Sequence, residues 1–114
     1  MLVQINGTKK SQETRKATRY FSERGVEYHL RDVFEKPLSR GEIGNVGRSI
    51  DPEDLIDSKS NYYSKRGLAH MVFDPIEEIL EDPRILKLPI VRNGKESTVG
   101  HAPETWDRWI NDSK

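Results

Sequence analysis

The spacing of apolar positions changes along the chain, and each change predicts an element. Leu2-Val3-Gln4-Ile5 reads as a short strand, with the turn-forming pair Asn6-Gly7 closing it. From Ser11 to Arg24 the period becomes helical: Thr14, Ala17, Tyr20 and Phe21 recur at i, i+3 and i+4, and Gly25 supplies the stop. Val26 to Val33 then alternates, with Val26, Tyr28 and Leu30 set against Glu27, His29 and Arg31, as in a half-buried strand. Strand, helix, glycine and strand in so short a stretch form a βαβ unit, which predicts that Leu2–Ile5 runs parallel to Glu27–Arg31.

The middle of the chain predicts short helices. Ser39-Arg40-Gly41-Glu42 has the form of a capping box and starts a helix expected to run to about Ile50, weakened by Gly44 and Gly47. Asp51-Pro52-Glu53-Asp54 starts another, with proline at its first position and acids at its positive end. Ser60 to Gly67 is a third, and Asp74-Pro75-Ile76-Glu77 opens a fourth that Glu81-Asp82-Pro83 stops. Strands return at Leu88–Val91 and Ser97–Val99, either side of the hairpin signal Asn93-Gly94, and Pro103 opens a terminal helix carrying Trp106, Trp109 and Ile110. The order is βαβ, a helical insertion over about 39–82, then ββα. This predicts one α/β domain over 1–114: a thioredoxin-like (glutaredoxin-like) four-stranded mixed sheet flanked by helices, with Pro89–Val91 antiparallel to Ser97–Val99.

Composition narrows the function. The chain has 114 residues, of which 33% are hydrophobic and 33% charged, the latter above the roughly 25% of ordinary domains. Its 19 basic and 19 acidic residues cancel, so nothing favours direct, unspecific nucleic-acid binding. No apolar run approaches the roughly 20 residues of a membrane span, and the first residues lack a signal-like apolar core; a cytoplasmic protein is the expectation. Cysteine is absent, which removes disulfides, thiolate metal sites and cysteine nucleophiles. His29, His70 and His101 match no metal-ligand spacing, and no cofactor is expected.

Four segments carry a resemblance: Gly7-Thr8-Lys9-Lys10-Ser11-Gln12-Glu13-Thr14-Arg15-Lys16-Ala17; Gly25-Val26-Glu27-Tyr28; Pro83-Arg84-Ile85-Leu86-Lys87-Leu88-Pro89-Ile90-Val91; and Val99-Gly100-His101-Ala102-Pro103-Glu104-Thr105-Trp106. In this order and spacing the chain resembles the arsenate-reductase/Spx (ArsC-like) group of the thioredoxin superfamily, from about Val3 to Trp106. The resemblance implies a cis peptide bond before Pro89, beside the site. It also implies a nucleophilic cysteine where this chain has Ser11, with Thr14 at the second position of the CxxC-like pair. The three arginines that surround the oxyanion in arsenate reductases correspond to Lys59, Leu88 and His101.

The departures decide the chemistry. A helix N-terminus, with unpaired N–H groups and about half a positive charge, makes a thiolate of a cysteine. A serine hydroxyl needs an adjacent base to become nucleophilic and cannot form the sulfur–sulfur bond of thiol redox chemistry. Ser11 therefore has three readings: an anion-binding helix end with Lys9, Lys10 and Arg15 nearby, Thr14 and the family-site positions Lys59 and His101 being further anion-binding candidates; a plain N-cap; or a replacement for a cysteine of the natural chain. His101 as a general base lacks a visible orienting acid. Arg31-Asp32, Glu77-Glu78 and Glu81-Asp82 read as solvated faces. Three functions follow as expectations. First is an interaction or regulatory module with a protein partner, as the Spx branch binds RNA polymerase. Second is an arsenate-reductase-like oxidoreductase whose natural form carries cysteine at position 11. Third is a binder of small anions or thiol ligands, with weak affinity.

Overall fold

The computed structural model describes residues 1–114. The strands are β1 (Leu2–Gly7), β2 (Glu27–Asp32), β3 (Ile90–Asn93) and β4 (Glu96–Val99). The helices are α1 (Gln12–Glu23), α2 (Arg40–Val46), α3 (Asn61–Lys65), α4 (Pro75–Glu81) and α5 (Pro103–Asp112), with 3-10 turns at Pro52–Leu55, Leu68–His70 and Pro83–Ile85. The sheet order is β2-β1-β3-β4. β1 pairs parallel with β2, placing Leu2 opposite Glu27 and Ile5 opposite Leu30, while β3 is antiparallel to both β1 and β4. This is the mixed sheet that the βαβ and ββα patterns predict. No helix is long and apolar enough to cross a membrane.

Alternation along the strands sends side chains to two faces, and each face has its own core. Val3, Ile5 and Val91 meet Ala17 and Phe21 of α1 and Trp106 and Trp109 of α5. Trp106 is fully buried, lies 5.2 Å from the ring centres of both Phe21 and Tyr20, and donates its indole N–H to Thr98 Oγ1 at 2.9 Å. The opposite face sends Ile90 into an aliphatic cluster with Val33, Leu38 and the insertion's Ile43, Val46, Leu55, Ile79 and Leu86.

The insertion is also tied by ion pairs. Arg31 reaches Glu42, Arg40 reaches Glu77, Arg66 reaches Glu78 and Glu81, and Arg84 meets Asp82 at 2.8 Å. Asp82 is no solvated residue: it is 7% exposed, caps the Pro83 turn through Arg84 N–H, and that arginine's hydrogen bond holds its carboxyl below the usual range. Arg31 and Glu78 are likewise largely covered, so the reading of these charges as solvated faces holds only for their more exposed neighbours.

Three local expectations fail. Asn6-Gly7 is not a turn: both residues stay in β1, Asn6 is buried, and its amide donates to Ile90 O at 3.1 Å. The first helix of the insertion ends at Val46 rather than Ile50. Its capping box at Ser39 and Glu42 forms, but Gly44 and Gly47 weaken propagation and Pro52 disfavours helix in the residue before it. The hairpin loop is Gly94-Lys95, with Gly94 at φ +59°, so Asn93 closes β3 instead of entering the turn.

Candidate functional site

The first helix begins where β1 ends, across a tight loop. Thr8 N–H donates to Thr14 Oγ1 at 3.4 Å, and Ser11 N–H donates to Thr8 O at 3.0 Å. Gly7 makes this approach possible, since a Cβ there would lie 2.3 Å from Thr14 Oγ1. Ser11 has extended backbone angles and its Oγ accepts from Thr14 N–H at 3.2 Å, the geometry of an N-cap.

Two distant segments complete the site. Leu55 O accepts from Lys87 N–H at 2.7 Å and Ile85 O accepts from Asp57 N–H at 2.8 Å, an antiparallel bridge centred on Ile56 and Leu86. It brings Asp57 beside Lys87 and Leu88. The Leu88–Pro89 bond is cis, and Pro89 O accepts from Gly100 N–H at 2.9 Å. Gly100 sits at φ +70°, where a side chain would be strained, and this turn delivers His101, whose ring stands edge-on to Trp106 at 5.6 Å.

The result is an open cleft of about 480 Å³ lined by Ser11, Glu13, Asp57, Leu86, Lys87, Leu88, Gly100 and His101. Of the residues singled out in the sequence, Ser11, Leu88 and His101 meet here. Pro89 is buried behind them. Lys10 is exposed and does not line the cleft; its backbone N–H points to Thr8 Oγ1. Thr14 is buried against Gly7, Arg15 donates to Lys9 O at 2.8 Å, and Lys59 is exposed, its N–H donating to Asp57 Oδ1 at 3.0 Å. None of these three lines the cleft.

Glu13, Asp57 and Lys87 escaped the sequence reading. They change the electrostatics: two carboxylates face one ammonium and an imidazole, and Leu88 presents only hydrocarbon. An anion at the start of α1 would meet the helix's positive end but also two acids. Ser11 Oγ has its hydrogen bond from Thr14 N–H and none with His101, Asp57 or Lys87, so no base activates it. A larger cleft of about 590 Å³ runs along β2. Its Arg31 and Asp32 are committed to the hydrogen bonds that hold the connection from β2 to α2, which makes it the poorer candidate for chemistry.

Comparison with known proteins agrees with this geometry. The family model described as "ArsC family" matches residues 6–109. The Global transcriptional regulator Spx 2 of Oceanobacillus iheyensis is 30% identical over 107 residues, covering 89% of this chain and 78% of its own. Among solved structures, an ArsC family related protein from Bacteroides fragilis superposes with a TM-score of 0.83 at 18% identity, covering 95% of this chain and 97% of its own. An arsenate reductase from Vibrio cholerae gives 0.80, also at 18% identity, covering 92% and 94%. The fold is that of the thioredoxin-like ArsC proteins, here without a cysteine, and the chain belongs to the ArsC family.

Proposed function

We propose that this protein is a non-catalytic interaction or regulatory module: an ArsC-type scaffold that works by contact with a protein partner. The observation that carries this is Ser11 itself. It occupies the start of α1 beside the cis Leu88–Pro89 bond as a satisfied N-cap, with no thiol in the chain to take part in exchange. Leu88 and the nearby carboxylates Glu13 and Asp57 further disfavour a bound arsenate. The similarity to a transcriptional regulator supports a partner of the kind Spx proteins use, and bacterial RNA polymerase is the first one to try.

The test has two arms. In a glutathione- or thioredoxin-coupled assay the chain is expected to give no arsenate or disulfide reduction above a heat-killed control, while purified RNA polymerase retains it on a biosensor surface. Sustained turnover overturns the reading, and absence of binding removes the polymerase as partner. The competing reading, an oxidoreductase with cysteine at position 11 in its natural form, is supported by the similarity to an arsenate reductase. Ser11→Cys examines it: the helix end should bring the thiol pKa below about 8.5, yet arsenate turnover should remain poor because Leu88 supplies no charge.

A further inference from the structure

A second feature lies on the sheet itself, away from the start of α1. Pairing registers place His29 of β2 opposite Gln4 of β1, Gln4 opposite Arg92 of β3, and Arg92 opposite Ser97 of β4. These four polar residues form one row across all four strands, on the face that also carries Ile90. In the next row Ile90 and Val99 are covered by the insertion. The polar row lies beyond that cover toward the start of β1, where a cleft of about 440 Å³ opens over His29, Gln4 and Arg92.

Hydrogen bonding marks this face as incomplete. Three buried side-chain polar atoms of the chain lack a partner: Asn6 Oδ1, Arg92 Nε and Ser97 Oγ. All three belong to this face, in adjacent rows, and Ser97 is only 9% exposed. Arg92, like Arg15, Arg19 and Arg48, pairs with no carboxylate, but among the arginines it alone has a buried side-chain nitrogen without a partner. No carboxylate lines the cleft. The second guanidinium there, Arg31, is occupied by Glu42 and by the carbonyls of Lys36 and Pro37.

We propose that the open part of this row binds a small organic oxyanion, a carboxylate or a phosphoryl group, with Arg92 as its principal anchor. The Arg92 Nε–H is buried without a partner, so its desolvation is already incurred, and a small turn of the guanidinium toward the cleft gives it an incoming acceptor. Its planar fork suits two oxygens of one anion. The Gln4 amide and the His29 ring add donors from the neighbouring strands, and the exposed Leu2 gives an apolar rim suited to a short organic tail. The site does not depend on how Ser11 is read.

The test is a titration of the full ¹⁵N-labelled chain with inorganic phosphate and, separately, with butyrate, each at ionic strength matched with sodium chloride. The expected result is a saturable shift of the Arg92 Nε–H signal together with the Gln4 side-chain amide. A response to phosphate alone assigns a phosphoryl ligand, and a response to butyrate alone a carboxylate. Arg92→Gln should weaken binding about tenfold or more, the scale of a lost charged hydrogen bond. His29→Gln, at an exposed position that leaves the fold intact, should weaken it less. The proposal is overturned if the Arg92 signal responds equally to chloride, if it stays still while the amides of Gln12 and Glu13 move, or if Arg92→Gln folds and binds like the parent.

Discussion

The two faces of the sheet are stabilised by different means. Against one lie α1 and α5, of 12 and 10 residues, packed through Phe21, Tyr20, Trp106 and Trp109. Against the other lie helices of five to seven residues around an aliphatic cluster, laced by arginine–carboxylate pairs. Helices that short are marginal in isolation, so theirs is a tertiary stability: burial and ion pairs hold what local propensity cannot. The contrast predicts that the insertion is the more acid-sensitive half, since its lowered carboxylates Glu42 and Asp82 are partly covered whereas Glu96, paired with Arg108 of α5, is exposed.

The largest effect should come from the aromatic half. Trp106→Ala removes a fully buried indole and its bond to Thr98, and should cost about 3–5 kcal/mol in urea unfolding. A loss under about 1 kcal/mol would show that the aromatic cluster is not what holds this face. Next is Gly7→Ala, where the new methyl would collide with Thr14; a loss of about 1–3 kcal/mol is expected, partly recovered by Thr14→Ala in the same chain.

Acid should then separate the halves. Glu42 is held below the usual carboxylate range first by the hydrogen bond from Arg31, and Asp82 by that from Arg84. A carboxylate with a lowered folded pKa contributes stability that is complete above its unfolded value, about 4, and lost as pH falls through the folded one. Below about pH 4, amides of α2 and the Pro83 turn should exchange faster before those of α1 and α5. Glu42→Gln should flatten this dependence, and simultaneous exchange in both halves would erase the contrast. The smallest effect is at the caps: Ser11→Ala and Ser39→Ala should each cost about 1 kcal/mol, measured by thermal unfolding.

Local patterns revealed what local physics determines. The alternation of Val26, Tyr28 and Leu30, the helical spacing of Ala17 and Phe21, and the Ser39–Glu42 box all took the form their spacing predicts. Asn6 did not, because its amide nitrogen donates to the carbonyl of Ile90, 84 residues away, and no local rule anticipates that bond. The same distinction divides the site. Ser11, Leu88 and His101 were found through their motifs, whereas Asp57 and Lys87 reach the cleft only through the bridge between Ile56 and Leu86. Glu13 has the ordinary look of an acid in a first helical turn, and only the fold shows that it also faces the cleft. Arg92 reads as one charged residue in a strand until the register sets it in a row with Gln4 and Ser97.

That bridge has another consequence. By joining Leu55–Asp57 to Ile85–Lys87, it ties off residues 58–84 as a loop whose two ends already touch. The entropy of closing a loop grows only with the logarithm of its length, so adding or removing residues between those ends alters the cost little. Exposed turns between Ser58 and Arg84 can thereby change in length at little entropic cost, provided Leu68 and Ile79 keep their places in the aliphatic core. They can acquire new recognition features on their outer side while the knot at their base keeps Asp57, Lys87 and Leu88 where they are.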